Sequence, residues 1–245
     1  MIIIRNIPKA IKIYGTLHLL TTYRKRIEDA KAAKDFVEER KNILEAEKTW
    51  STALLKAFDS EITLTGKENL PKNGPVVFVG NHQGYADIVA YFSALSTVQF
   101  GYVAKDDLGK VPLYGSWIRR IRSVLIQRGD PKQALRAMET GINLINEGFS
   151  LMIFPEGTRS KGPIMGEFKR GSFKLATKPQ VPIIPVSIDG SYKMYEETGI
   201  IQGAAIKIKV HPPIETKGLS KPEEKALAKK VENIVRSGVE ELQQE

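Results

Sequence analysis

The 245-residue chain has no cysteine. That excludes disulfides, thiol nucleophiles and cysteine-ligated metal, and it leaves the compartment open. Histidine is nearly absent as well: His18, His82 and His211 are scattered, so no histidine-built metal site is expected. No Gly-x-Gly-x-x-Gly follows a strand, and neither a Gly-x-x-x-x-Gly-Lys-Ser/Thr loop nor a Gly-x-Ser-x-Gly elbow occurs. Dinucleotide sites, nucleotide P-loops and α/β-hydrolase chemistry each lose their defining residues. Long apolar runs are missing too. The longest uncharged stretch near the start, Ile13–Tyr23, is too short for a bilayer-spanning helix. Arg5, Lys9 and Lys12 interrupt the apolar residues 1–20, and no small-residue cleavage site follows them. Acid is in deficit, with 28 Asp and Glu against 37 Lys and Arg and a net charge of +9, so anionic partners are expected. The basic residues are dispersed and aromatics do not interleave with them, which argues against nucleic acid.

What is present centres on Val76-Val77-Phe78-Val79-Gly80-Asn81-His82-Gln83-Gly84-Tyr85-Ala86-Asp87. It begins as an apolar run suited to a strand buried on both faces. It then passes through a glycine-bearing loop into a helix over Ala86–Leu95. Such strand-to-helix loops are where α/β proteins place ligands. The spacing lets Asp87, in the first helical turn, take the ring N–H of His82 in the loop. That fixes the tautomer and frees the other nitrogen as a base. A core histidine beside a helix-capping aspartate is the alternative, and His82 and Asp87 alone do not decide between the two. A second buried-strand run, Leu151-Met152-Ile153-Phe154, ends in the polar loop Pro155-Glu156-Gly157-Thr158-Arg159-Ser160.

The rest of the chain alternates strands and helices. Edge-strand character at Ile62–Gly66 is followed by the central run, a strand at Thr97–Ala104, a helix at Pro112–Arg120 and a strand at Ser123–Gln127. Asp130 caps a helix with Pro131 at its first position and Gly148 at its end. Val181–Ile188 is apolar but carries Pro182 and Pro185, which predicts an irregular or edge strand. Ala204–Val210 alternates, with lysines outward, and a helix starts near Ser220 and runs to about Leu242. The expected fold class is α/β, a largely parallel central sheet flanked by helices, preceded by an N-terminal two-helix hairpin. Residues 1–58 form the hairpin and 59–245 the α/β domain. The hairpin carries Ile2, Ile3, Ile4 and Trp50 as candidate exposed apolar residues. It reads either as a monotopic membrane anchor with basic residues at the headgroups or as a cap packed on the main domain. If the strands at 76–80, 98–104, 123–127 and 151–154 run parallel, then His82, Lys105, Arg128 and Arg159 converge on one sheet edge. The Arg159 fork suits bidentate binding of a phosphate.

Asn-His-x-x-x-x-Asp at 81–87 followed by Phe-Pro-Glu-Gly-Thr-Arg-Ser at 154–160 resembles the glycerolipid acyltransferase family, and most of all the 1-acylglycerol-3-phosphate acyltransferases. The resemblance covers about residues 75 to 190. It implies transfer of an acyl group to the free sn-2 hydroxyl of lysophosphatidate, giving phosphatidate for phospholipid biosynthesis. His82 and Asp87 would be catalytic; Glu156, Gly157, Thr158 and Arg159 would hold the acceptor, with Lys105 and Arg128 as further phosphate ligands. Ile184 and Pro185 fall in the family's proline motif, associated with the acyl donor, or are plain core. Gln127 precedes Arg128 where the family usually has an acid. Glu156 also reads as a structural acceptor for backbone N–H groups at the loop. No cofactor or metal is implied; acyl-CoA or acyl-carrier protein serves as co-substrate. The partners are lysophosphatidate, that donor and a membrane surface met through residues 1–58. This places the protein peripherally or monotopically on the cytoplasmic face of the cell membrane. Acylation of glycerol-3-phosphate or another lysophospholipid, and non-catalytic binding of anionic lipid, are the competing readings.

Overall fold

The computed structural model describes residues 2–127 and 130–244. The N-terminal hairpin has a first arm in two pieces, α1 (Ile2–Leu17) and α2 (Thr21–Ala32), joined by a 3-10 turn at His18–Leu20. Its second arm is α3 (Phe36–Ala57), capped by the Asp35 carboxylate accepting the Glu38 N–H at 3.0 Å. The remaining elements are β1 (Glu61–Thr65), β2 (Val77–Gly80), α4 (Asp87–Ala94), β3 (Phe100–Lys105), α5 (Tyr114–Arg120), β4 (Val124–Ile126) and α6 (Pro131–Asn146). They are followed by β5 (Ser150–Ile153), α7 (Lys174–Thr177), β6 (Ile183–Asp189), β7 (Ala205–Val210) and α8 (Lys221–Gln244).

Among the described residues the strands form one seven-stranded sheet ordered β1-β7-β6-β2-β5-β3-β4. Every neighbouring pair is parallel except β6 with β7, so β1 and β7 run against the other strands. The C-terminal ends of β2, β3, β4, β5 and β6 therefore share one edge. The loops after β2 and β5, adjacent in the sheet but far apart in sequence, meet at its centre. This is where an open parallel sheet offers a crevice.

Two expectations need correction. β6 is neither irregular nor at an edge; it lies between β2 and β7 and is buried throughout. Pro185 is tolerated because its missing N–H falls where the β6–β7 ladder ends. Opposite residues of an antiparallel pair can exchange two bonds, and here only the His211 N–H to Pro185 carbonyl bond forms, at 3.0 Å. Beyond it Pro212 and Pro213 carry the partner strand past, and pairing resumes once, between Ile183 and Ile214. Trp50 is not an exposed apolar residue. It is 3% exposed, packed edge-on against Phe92, with its Nε1–H directed to Thr16 Oγ1 at 3.2 Å.

Burial explains why α3 behaves as part of the main body. Ile43, Ala46, Trp50 and Leu54 recur at helical spacing and join the same apolar core as β2, β3 and β5. Glu39 on the same helix is fully buried and makes a two-point ion pair with Arg122, at 2.6 and 2.7 Å. The outward side of α1 is different: Ile3 and Ile4 are 79% and 71% exposed, and Ile2, Ile7 and Ile11 are exposed with them. Among the described residues no helix is long and apolar enough to cross a membrane.

On the other side, α8 lays Leu227, Val231, Val235, Val239 and Leu242 onto the sheet. Each fully buried aliphatic side chain contributes about 1.5–3 kcal/mol. The helix approaches closely at Gly238, where an added Cβ would lie 2.5 Å from His211 Nε2 and overlap Ser187 Oγ. His211 is held down to about 4, chiefly by burial and then by the Lys209 charge, so it is neutral. Ser187 donates to the Val235 carbonyl and accepts from His211 Nε2, each at 2.8 Å, which closes this polar pocket.

Candidate active site

The loop from β2 to α4 is fixed before any catalytic group is considered. The Asn81 amide bonds the Ile188 backbone in both directions at 2.9 Å, extending the β2–β6 pairing past the strand end. Tyr91 Oη donates to the Asn81 carbonyl at 3.2 Å. Asp87 then opens α4, where a carboxylate suits the positive end of the helix dipole. It is fully buried. Its Oδ2 accepts from His82 Nδ1 at 2.6 Å and from the backbone N–H groups of Gln83 and Gly84 at 2.7 and 3.1 Å. Its Oδ1 accepts from the Ser191 hydroxyl. A carboxylate that only accepts puts the ring proton on Nδ1 and leaves Nε2 as the lone-pair nitrogen.

The imidazole plane is set by Phe154, which stacks on it at 4.1 Å between centroids and 10° between planes. Phe154 directly follows β5, so the strand that carries the second motif also orients the first. Glu156 stitches the loops together: one oxygen accepts the His82 N–H and the other the Gly166 N–H, both at 2.7 Å. Both oxygens are thus used inside the protein. Burial raises the Glu156 carboxyl above its ordinary range, and those two N–H groups offset only part of the rise. The Ser160 N–H reaches the His82 carbonyl at 2.8 Å and the Lys161 N–H the Gln83 carbonyl at 3.0 Å. Gly157 sits at φ 73°, a conformation that favours glycine, beneath the Lys169 ammonium. Thr158 is exposed at the tip.

Arg159 is brought to the same place. Its guanidinium lies 3.6 Å over the Tyr85 ring, three residues from His82, and its Nη1 donates to Glu196 at 2.7 Å. It remains 23% exposed. Lys105 stands on the shared edge at the end of β3, about half exposed, and is ion-paired with Asp107. Arg128 lies outside the described residues. Ile184 and Pro185 are buried inside β6, and the structure brings neither to the polar loops. Two participants have no signal in the motifs, Ser191 on Asp87 and Glu196 on Arg159; Phe154 opens the second motif, but its place as the imidazole's stacking partner is seen only in the fold. Among the described residues no group of three His, Cys, Asp or Glu could hold a metal ion.

Residues 61–189, more than half of the chain, match the family model described as Acyltransferase. The chain is similar to the chloroplastic 1-acyl-sn-glycerol-3-phosphate acyltransferase of Brassica napus, 31% identical over 68% of this chain and 48% of that protein. It is also similar to the 1-acyl-sn-glycerol-3-phosphate acyltransferase of Borreliella burgdorferi, 32% identical over 68% of this chain and 67% of that protein. The chain thus spans about half the length of the chloroplastic relatives it matches. The crystal structure of the 1-acyl-sn-glycerophosphate acyltransferase from Thermotoga maritima superposes with a TM-score of 0.76 at 28% identity, covering 100% of this chain and 99% of that one. A strand-end histidine held by the aspartate five residues on, next to the Glu-Gly-Thr-Arg loop, therefore sits in a fold and a sequence context of one kind: the chain belongs to the Acyltransferase family.

Proposed function

We propose that the protein transfers an acyl group from a thioester, acyl-CoA or acyl-carrier protein, to the sn-2 hydroxyl of lysophosphatidate, giving phosphatidate in phospholipid biosynthesis. The observation that carries the reading is the contact between two sites: the His82–Asp87 pair and Arg159 meet across Tyr85 and the Ser160–His82 backbone bond. A base and a phosphate ligand then serve one acceptor.

In this mechanism Nε2 of His82 takes the hydroxyl proton as the oxygen attacks the thioester carbonyl. General base catalysis of this kind contributes about 10²–10⁴-fold. The carbon–oxygen bond forms, the carbon–sulfur bond breaks, and the proton passes from the imidazolium to the departing thiolate. Asp87 holds the imidazole and offsets its transient positive charge. Arg159 binds the acceptor phosphate through the edge of its fork not taken by Glu196, with Lys105 as a second cation on the same sheet edge. Glu156, Gly157 and Thr158 shape the acceptor loop. The N–H groups of Gln83, Gly84 and Gly157 already have partners inside the protein, so other donors stabilise the oxyanion.

The membrane contact is assigned to α1. Its exposed isoleucines form an apolar stripe, and Arg5 is exposed beside them. Lys9 and Lys12 donate to the carbonyls of Ile201 and Ala57, tying the helix to the body. An amphipathic helix so placed lies in the interface of an anionic leaflet, which suits a peripheral or monotopic protein on the cytoplasmic face. A labelled acyl-thioester offered with lysophosphatidate, glycerol-3-phosphate and a zwitterionic lysophospholipid tests the substrate. Product from lysophosphatidate first supports the proposal. Preference for glycerol-3-phosphate, or vesicle binding with no product, would replace it.

A further inference from the structure

Glu196 lies outside both motifs, 37 residues beyond Arg159, yet its side chain is only 3% exposed and is aimed at the phosphate arginine. One oxygen, Oε1, accepts from Arg159 Nη1 at 2.7 Å and from the Tyr85 backbone N–H at 2.9 Å. The carboxylate packs against Gly84, where a Cβ would overlap it. Tyr85 in turn puts its ring under the guanidinium at 3.6 Å. Arg159 is thus held at one end by a carboxylate and on one face by an aromatic ring, while the side chain keeps 23% of its surface exposed. The turn bearing Glu196 is itself tied down. Ser191 bonds Asp87 at one end, and at the other the Asn6 amide bonds the Gly199 carbonyl at 2.7 Å and the Ile201 N–H at 2.9 Å.

The geometry points to Glu196 as the positioning residue that presets the Arg159 fork for the acceptor's phosphate, acting through Arg159 and Tyr85 without touching substrate. This rests on the reading of Arg159 as phosphate ligand. A free arginine side chain samples many rotamers, and fixing it beforehand removes that loss from the binding step. What Glu196 supplies is reach and acceptor geometry more than charge, because its charge competes with phosphate for the same cation.

The test is steady-state kinetics against lysophosphatidate at fixed acyl donor. Glu196→Ala is expected to raise KM about tenfold or more, the scale of one charge-assisted hydrogen bond. Its kcat should stay within about twofold and its pH–rate profile should not move, as expected for an effect on binding alone. Glu196→Gln, which keeps an oxygen at the same reach, should restore most of the KM. Glu196→Asp, which keeps the charge one methylene too short, should not. In an Arg159→Ala background Glu196→Ala should add less than about twofold. A lower KM in Glu196→Ala would overturn the assignment, making the carboxylate a competitor of phosphate. So would an equal effect with and without Arg159, or Glu196→Asp outperforming Glu196→Gln. The Asp and Gln pair decides the matter if the Ala variant does not fold. An unchanged KM in Arg159→Ala alone would instead remove the phosphate reading itself.

Discussion

Replacing Asp87 by Asn separates the charge of the carboxylate that holds His82 from its shape. The isosteric amide has one oxygen, and its best orientation turns that oxygen toward His82 Nδ1 and the Gln83 and Gly84 N–H groups. The opposite flip would face an NH₂ toward all three donors. The amide nitrogen then meets Ser191 Oγ, which can accept. Dyad geometry is therefore kept, while the imidazolium that forms during the reaction loses its counter-ion. In a comparable His–Asp pair the same substitution costs about 10⁴-fold through the wrong tautomer; with the tautomer kept that figure is an upper bound, so kcat should fall more than tenfold and by up to about 10⁴-fold, at most roughly 5.5 kcal/mol. Stability should move much less, because two changes oppose each other. Three hydrogen bonds to a charged acceptor become neutral, at about 1 kcal/mol each, while the desolvation of a buried carboxylate, worth several kcal/mol, is relieved. KM for the acceptor should stay within about threefold, since Asp87 touches no substrate. The assay is acyl transfer from a labelled thioester, with urea unfolding of the same preparation as the control. A kcat within tenfold of wild type, or a loss carried mainly by KM, would refute the assignment of Asp87 as the imidazole's counter-ion.

Two other substitutions probe the scaffold. Glu47 is buried on α3 with neither oxygen in a well-formed hydrogen bond, and burial raises its carboxyl well above the ordinary range, the nearby Phe100 backbone N–H offsetting only part of the rise. The folded state then holds a proton that the unfolded chain releases, so stability is greatest below the unfolded carboxylate pKa and falls as pH rises toward the folded one, by up to about 1.4 kcal/mol per pH unit. Glu47→Gln should be about as stable as wild type near pH 4 and more stable near pH 8 by denaturant titration; parallel pH profiles would contradict this. Gly238→Ala drives a methyl into His211 and Ser187 and should cost about 1–3 kcal/mol, outweighing the roughly 1 kcal/mol that alanine gains in a helix; a higher urea midpoint would show that α8 does not sit as close as described.

The parts legible in the sequence were those set by neighbours along the chain. The apolar runs of β2 and β5, the Asp130 cap of α6 and the His82–Asp87 pair all follow from a few consecutive residues. The parallel arrangement then brings the polar loops to one edge. Trp50 was illegible because its burial depends on Phe92 and Thr16, which reach it from other helices. β6 was misjudged because the proline rule describes an average ladder, whereas Pro185 sits at the one position where His211 leaves the ladder and Pro212–Pro213 follow. A central β6 ends on the same edge as β2 and β5, so the residues just after it, Ser191 and Glu196, are where further site groups belong. Ile184 and Pro185, which the resemblance to the proline motif singles out, lie buried within the strand.

The proposed acyl transfer depends on a single proton leaving the acceptor hydroxyl for His82 Nε2. The most direct measurement is the turnover of purified His82→Ala with lysophosphatidate and a saturating acyl-thioester. The account predicts a kcat lowered by at least about 10²-fold, up to about 10⁴-fold, with the Arg159-dependent KM for the acceptor retained. Wild-type turnover in that variant would contradict it.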